Sequence, residues 1–578
     1  MCHCCKAAYE EHKVLRCYIC NKNYYHGCVD LSSTEVRTIK TKRGLRWSCV
    51  SCADLGDDIT DLKAAIVSLR NEILDLKALS TAPVSTISED TFEDLIQEIQ
   101  ERESRKCSLI MYGVTEVDTG TTDNGGDRNV VATVLDKVSQ PQKVSPWSGV
   151  WIANNTHLTC VQVDHVPEPP GGRYQGDEDC LYLNVFFPGK KPRNKDLLDV
   201  IVFIHGGGFM FGSMNNHGPK FLMDRDVVLV TMNYRLGVFG FLSTEDEVLP
   251  GNNGFKDQVL ALEWIHDNIL YFGGNPNSVT LTGLSAGAAS VHFHYFSPLS
   301  KGLFHRGISM SGTALGPSKI QENALGKAKI IGKHLGCTQE STKSLIACMN
   351  QRPTQEIVEA IKILRPWLYY PYSPIAAVVE TKGDKKFLTD QPWSLLTTGN
   401  FHDLPWLNSV TSEEGLYPGA EFWEKDEYIA ELETKWNYLM PHILDYNYTI
   451  PCEQKDLVSE TIKKTYLENE VLSRNNFMKF INIISDRMFC ISAEDAATVQ
   501  AEKSKSEIYY YYFNYIGEEK ESDTESFTGS KEKLGTAHGD DTMFVFSNPS
   551  KSKETLSEND KKIKNLLLDI WISFAKSK

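Results

Sequence analysis

Long apolar runs are missing from this chain. The longest are five to seven residues, such as VIVFI at 200–204, against the roughly 18 or more that a bilayer-spanning helix needs, so no part of it reads as a membrane span. Positive charge is short as well: 60 Lys and Arg against 76 Asp and Glu leave a net charge of −16 and a pI near 5.5. That excludes a protein that coats nucleic acid through bulk charge and confines any such role to a local patch. A secretory leader is also lacking, because MCHCCKAAYEEHK has no apolar core between a basic start and a small-residue cleavage site. As written, the chain is expected to stay inside the cell. What is present, 578 residues that are 41% hydrophobic and 24% charged, is too long for one ordinary domain and too apolar for disorder, so at least two folded units are expected.

The cysteines divide the chain. Nine of the 15 fall at or before Cys107, and four of the remaining six form two locally spaced pairs. The early ones have metal-ligand spacing, and the later pairs read as disulfide loops. N-x-T sequons at Asn154 and Asn447 also lie only in the later part, as in a chain from a secretory lineage. Cys2 and Cys5, Cys17 and Cys20, His26 and Cys28, and Cys49 and Cys52 supply eight soft ligands in four pairs, enough for two tetrahedral structural zinc ions, with pairs one and three sharing one ion. So short a segment buries little core, and zinc would supply most of its folding free energy. The order of pairs, with Trp47 before Cys49, resembles a PHD finger over residues 1–56. In that family His stands one position earlier, where this chain has Tyr25, and Cys4 is a substitute ligand. The resemblance implies either a zinc scaffold or a reader of histone tails that uses an aromatic cage. Tyr9, Tyr18, Tyr24 and Tyr25 serve equally as packing, which favours the scaffold.

Leu55, Ile59, Leu62, Ile66, Leu69, Ile73 and Leu76 then repeat at alternating spacings of four and three, a three-heptad coiled coil over 57–79 that predicts a parallel homodimer through 55–79. After the linker ALSTAPVSTISED, a helix leads into a short strand in SLIMYGV and a polar loop, a partial domain over 91–139. Finger, coil and QERESRKCSLIMYGV together resemble insect mobile-element or baculovirus-type nucleic-acid-associated proteins, which implies a nucleic-acid or chromatin contact by this leader. Arg102, Arg105 and Lys106 are its basic cluster, and a solvated helix face explains them as well.

From about Pro141 the pattern changes to β-branched and aromatic strands alternating with helices and Gly-rich turns, the signature of an α/β fold with a largely parallel sheet. DVIVFIHGGGF runs a buried strand into three glycines whose bare N–H groups can form half an oxyanion hole. SVTLTGLSAGAAS gives a strand, a sharp turn carrying Ser285, and a helix start, a nucleophile elbow with Gly283 and Gly287 permitting close packing. G-x-S-x-G alone fixes only three positions and matches any Gly-rich turn with a serine. Combined with HGGG about eighty residues upstream and an acid and a His downstream in order, it reads as catalytic.

EDCLYLNV, IHGGGF, NYRLGVFGFL, GNNGFKDQVLALEWIHDNI, FGGNPNSVTLTGLSAG and GLFHRGISMSG resemble type B carboxylesterases of the insect type, over about residues 141–576 of a domain taken as 141–578. The resemblance implies an α/β-hydrolase fold and a Ser-Glu-His triad of Ser285, Glu414 in TSEEG and His538 in GTAHGDD. Glu413 competes for the acid role, but the family acid directly precedes a Gly, here Gly415. His538 would take the Ser285 proton, Glu414 would orient the imidazole, and the N–H groups of Gly207, Gly208 and Ala286 would hold the oxyanion of an acyl-enzyme pathway that needs no cofactor. The same resemblance pairs Cys160 with Cys180 and Cys337 with Cys348, and its members are secreted proteins.

The chain departs from the family at Leu284, where many members carry Glu beside the nucleophile; this disfavours cationic choline esters and favours small-molecule esters of apolar, uncharged, lipid-like or hormone-like character. It also begins near PW-x-GVW and stops at IWISFAKSK, so the hydrolase is expected to be truncated at both ends. The leading expectation is a serine carboxylesterase behind an unrelated zinc-finger and coiled-coil leader. The alternative is a dimeric zinc-finger binding protein with a catalytically silent hydrolase.

Overall fold

The computed structural model describes residues 159–163, 173–188, 197–337, 341–518, 532–547 and 556–577, together with three short strands at 14–16, 23–25 and 108–111. The chain divides into two compact units, residues 1–99 and 100–578. In the first, β1 (Val14–Arg16) and β2 (Asn23–Tyr25) form an antiparallel pair with Val14 opposite Tyr25. The zinc ligands at Cys2, Cys5, Cys17, Cys20, His26, Cys28, Cys49 and Cys52 and the coiled coil at 55–79 lie outside the described residues.

Among the described residues, the second unit is built on a sheet of eight strands. In chain order its elements are β3 (Ser108–Met111), a small antiparallel pair β4 (Gln162–Val163) and β5 (Tyr174–Gln175) beside the sheet, β6 (Leu183–Phe187), β7 (Leu198–Ile204), β8 (Val227–Met232), β9 (Gly274–Leu284), β10 (Arg306–Met310), β11 (Trp406–Thr411) and β12 (Ile508–Phe513). The spatial order is β12-β11-β10-β9-β7-β8-β6-β3. The six strands from β12 to β8 run parallel, β6 is antiparallel to β8, and β3 is antiparallel to β6. The strand expected in SLIMYGV thus forms over its first four residues and is hydrogen-bonded into this sheet.

Sequence dictates this arrangement through burial on two faces. A parallel strand covered by helices on both sides must be apolar at successive positions, which VIVFI and VVLV are. Alternation divides them: Val200, Val202 and Ile204 join one cluster, while Ile201 and Phe203 join the other. The first cluster is covered by α1 (Asn253–Asn268) and α2 (Ala286–Phe296), through Phe255, Val259, Leu262, Ile265 and Phe293. The second is closed by the last helix, Glu558–Lys576, which buries Leu567, Leu568, Trp571 and Phe574. That helix is capped by Ser557 and Asp560, each side chain receiving the other's backbone N–H. A third, helical cluster around Leu416, Phe422, Trp436, Phe480 and Ile484 packs beside Ala537, next to the candidate base.

Arg235 and Asp257 form a buried bidentate pair, with Nε at 2.8 Å from Oδ2 and Nη2 at 2.7 Å from Oδ1, that pins the loop after β8 to α1. The disulfides Cys160–Cys180 and Cys337–Cys348 are formed as expected. Among the described residues no helix is long and apolar enough to cross a membrane.

Candidate active site

Parallel sheets gather function at the carboxyl ends of their strands, where the connecting loops converge. Ser285 follows β9, Glu414 follows β11 and His538 lies beyond β12, so the three come from the same end of one half of the sheet.

Ser285 occupies φ 59° and ψ −119°, a conformation that costs a non-glycine residue about 1–3 kcal/mol and persists only where surroundings impose it. Its N–H donates to the Met310 carbonyl at 2.8 Å, and its own carbonyl accepts from Ala289 at 2.8 Å. The flanking glycines are required by contact. A Cβ on Gly283 would lie 2.3 Å from the Gly287 carbonyl carbon, and one on Gly287 would lie 2.1 Å from the Ile204 carbonyl oxygen. Strand and helix therefore approach closely enough to thrust Ser285 out of the turn at the head of α2.

The HGGG segment continues from β7 into a tight turn in which the N–H groups of Met210 and Phe211 both donate to the Gly207 carbonyl, at 2.9 and 3.1 Å. Gly207 and Gly208 adopt φ 108° and 60°. This loop runs beside the nucleophile, since a Cβ on Gly206 would sit 3.1 Å from Ser285 Cβ. Ala286 opens α2, where N–H groups lack intrahelical partners, so the three expected oxyanion donors flank Ser285.

His538 and Glu414 are joined directly: Nδ1 lies 2.5 Å from Glu414 Oε2, with the imidazole 4% exposed and the carboxylate fully buried. Glu414 Oε1 accepts from the Thr411 N–H at 2.8 Å. Gly539, next to His538, lies against the elbow, since a Cβ there would meet Leu284 at 3.2 Å. Glu413, the competing acid, does something else: its carboxylate accepts from the Thr536 N–H at 2.8 Å, and its own N–H donates to the Thr536 carbonyl at 3.0 Å. It clasps the loop that delivers His538.

Several contributors escape sequence reasoning. Asp541 is fully buried behind the pair, with Oδ2 accepting from Tyr511 Oη at 2.9 Å and Ser409 Oγ at 3.2 Å. Burial, with the nearby Glu414 carboxylate, pushes Asp541 up to about 6. The pair GDD after His538 was the only available signal. Tyr417 stacks on the His538 ring at 5.6 Å and 19°, and Phe489 meets it at 4.4 Å; nothing in their spacing announces either.

Four other buried histidines have other surroundings. His205 of HGGG is driven down to about 4 by burial, stacks on Tyr234 at 4.5 Å, and contacts the Gly206 carbonyl. Burial likewise holds His217, His292 and His294 at about 3, so these rings stay neutral and serve packing. Among the described residues no cluster of His, Cys, Asp and Glu is arranged to hold a metal ion.

Comparison with known proteins gives the family. The sequence profile described as "Carboxylesterase family" matches residues 136–578. Venom carboxylesterase-6 of Apis mellifera is 41% identical over 435 residues, covering 75% of this chain and 77% of the relative. Esterase FE4 of Myzus persicae is 40% identical over 447 residues (76% and 77%), and juvenile hormone esterase of Tribolium castaneum 34% over 450 residues (75% and 76%). Among solved structures, juvenile hormone esterase from Manduca sexta with OTFP covalently attached superposes with a TM-score of 0.66 at 27% identity, over 76% of this chain and 82% of that one.

Proposed function

This chain belongs to the carboxylesterase family and is a carboxylic ester hydrolase, and we propose that it works through Ser285, His538 and Glu414 by an acyl-enzyme route. The observation that carries the assignment of residues is the 2.5 Å contact between His538 Nδ1 and Glu414 Oε2 beside the strained Ser285 elbow. With Nδ1 hydrogen-bonded to the carboxylate, Nε2 is the nitrogen free to accept the Ser285 proton. Ser285 Oγ attacks the ester carbonyl. The developing oxyanion is received by the N–H groups of Gly207, Gly208 and Ala286, at the positive end of α2. The imidazolium then protonates the leaving alcohol, and water activated by the same ring releases the acid.

We read the substrate as an ester with uncharged, apolar groups. Leu284 places an aliphatic side chain beside the nucleophile, and Tyr372, Tyr417, Phe211 and Phe489 surround the site with aromatic surface. Relatives that carry the name juvenile hormone esterase support a lipid-like or hormone-like ester. Turnover of p-nitrophenyl esters by the purified chain tests the assignment. Ser285→Ala and His538→Ala should each lower kcat by about 10⁴-fold or more, and Glu414→Gln by about 10⁴-fold. Retention of parental turnover by any one of them would overturn its role.

For the leader, the proposal is a structural zinc scaffold at residues 1–56 and a parallel dimer through 55–79, supported by the ligand spacing and the heptads. Metal analysis of the full chain should find close to two zinc ions, and none would overturn the module. Ile66→Lys should convert dimer to monomer in light scattering, and an unchanged mass would overturn the dimer.

A further inference from the structure

Two tyrosines from distant parts of the chain meet across the site. Tyr372 Oη and Tyr417 Oη lie 2.7 Å apart, a hydrogen bond in which either can donate. Each hydroxyl's ring leads to a different half of the machinery. On one side, the Tyr372 ring backs the oxyanion loop so tightly that a Cβ on Gly208 would lie 2.8 and 2.9 Å from its Cε1 and Cδ1. Phe211 of the same loop packs on that ring edge-on at 6.2 Å. On the other side, Tyr417 stacks on His538 at 5.6 Å with only 19° between the planes. Tyr417 is also tied to the acid: it stands three residues after Glu414, donates its N–H to the Glu414 carbonyl at 3.1 Å, and leaves helical geometry at φ −107° and ψ 117° within Leu416–Glu424.

We propose that Tyr372 and Tyr417 form a strap between the oxyanion loop and the base, with Tyr417 a positioning residue that holds the His538 imidazole and Tyr372 the anchor that holds Tyr417. The inference rests on the assignment of His538 as base. An aromatic face against the imidazole also favours the cation that forms as Ser285 gives up its proton, so the strap acts chiefly in the transition state. Burial, with the neighbouring Tyr417 hydroxyl, pushes Tyr372 well above its ordinary range, so Tyr372 enters the shared hydrogen bond as a neutral hydroxyl.

The strap makes a specific kinetic demand. Loss of either hydroxyl breaks the same hydrogen bond, so Tyr372→Phe and Tyr417→Phe should each lower kcat by about fivefold, and the double variant should be no slower than the worse single one. KM for a p-nitrophenyl ester should change less than about twofold, since ground-state binding is untouched. Tyr417→Leu, which removes the stacked face as well, should lower kcat by about fiftyfold. All rates are taken per active site titrated with a fluorophosphonate, and thermal midpoints are recorded beside them; a merely structural role would lower the midpoint or the titratable fraction without lowering the rate per site. Phe variants that match the parent in kcat, or a double variant whose loss is the product of the two, would overturn the strap. A parent with no Ser285-dependent turnover would instead overturn the triad on which it rests.

Discussion

Two neighbouring carboxylates make different contacts beside the candidate base. Glu413 and Glu414 are adjacent in sequence, yet one clasps the Thr536 backbone while the other meets His538. Glu413→Gln should therefore lower kcat by about tenfold, through a loosened His538 loop, against about 10⁴-fold for Glu414→Gln. A steeper loss at Glu413 than at Glu414 in the same ester assay would contradict the division. Asp541 adds a prediction about pH. Its folded pKa is raised to about 6, above its unfolded value, so the folded state binds the proton more tightly. Stability from this group is full at low pH and declines as pH rises from about 4 through about 6. Relative to the parent, Asp541→Asn should gain unfolding free energy between pH 4 and pH 7, by up to about 3 kcal/mol, in denaturant titrations. A constant difference across that range would contradict the assignment.

At the level of elements, the elbow is where local sequence and tertiary contact agree most closely. G-x-S-x-G was legible because Gly283 and Gly287 are demanded by backbone contacts that hold wherever a strand turns so sharply into a helix. Gly287→Ala would force a methyl to within 2.1 Å of the Ile204 carbonyl, so the thermal midpoint should fall by several degrees, the equivalent of about 1–3 kcal/mol, with esterase activity lost alongside. An unperturbed midpoint and rate would show that the turn relaxes freely. The apolar strands β7 and β8 were equally legible, because a strand buried on both faces leaves no room for polar alternation. What pairs across the fold was not. Tyr372 with Tyr417, Asp541 with Tyr511 and Glu413 with Thr536 join segments whose separation in sequence carries no period or motif.

The whole molecule joins a hydrolase unit to a leader whose residues announce different chemistry. The family profile begins at residue 136, whereas the compact unit begins at residue 100 and takes β3 into its sheet, so unit and family boundaries do not coincide. Sequence alone places the start of the hydrolase near residue 141, where the pattern changes to strands alternating with helices, and such a change does not report where a sheet ends. The two disulfides close loops with separations of 20 and 11 residues. Each is worth about 3 kcal/mol by loop entropy, so reduction should lower the midpoint of the hydrolase unit by several degrees while leaving the triad chemistry intact; no shift on complete reduction would contradict this. The account as a whole turns on one side chain acting as nucleophile. The most direct measurement is mass spectrometry of the native, full-length chain after reaction with a fluorophosphonate, which phosphonylates an activated serine. The account predicts one adduct, on the peptide carrying Ser285, with ester turnover lost in proportion to labelling and no adduct in His538→Ala. Folded, soluble protein that turns over ester while Ser285 stays unmodified, or that is labelled at another serine, would contradict it.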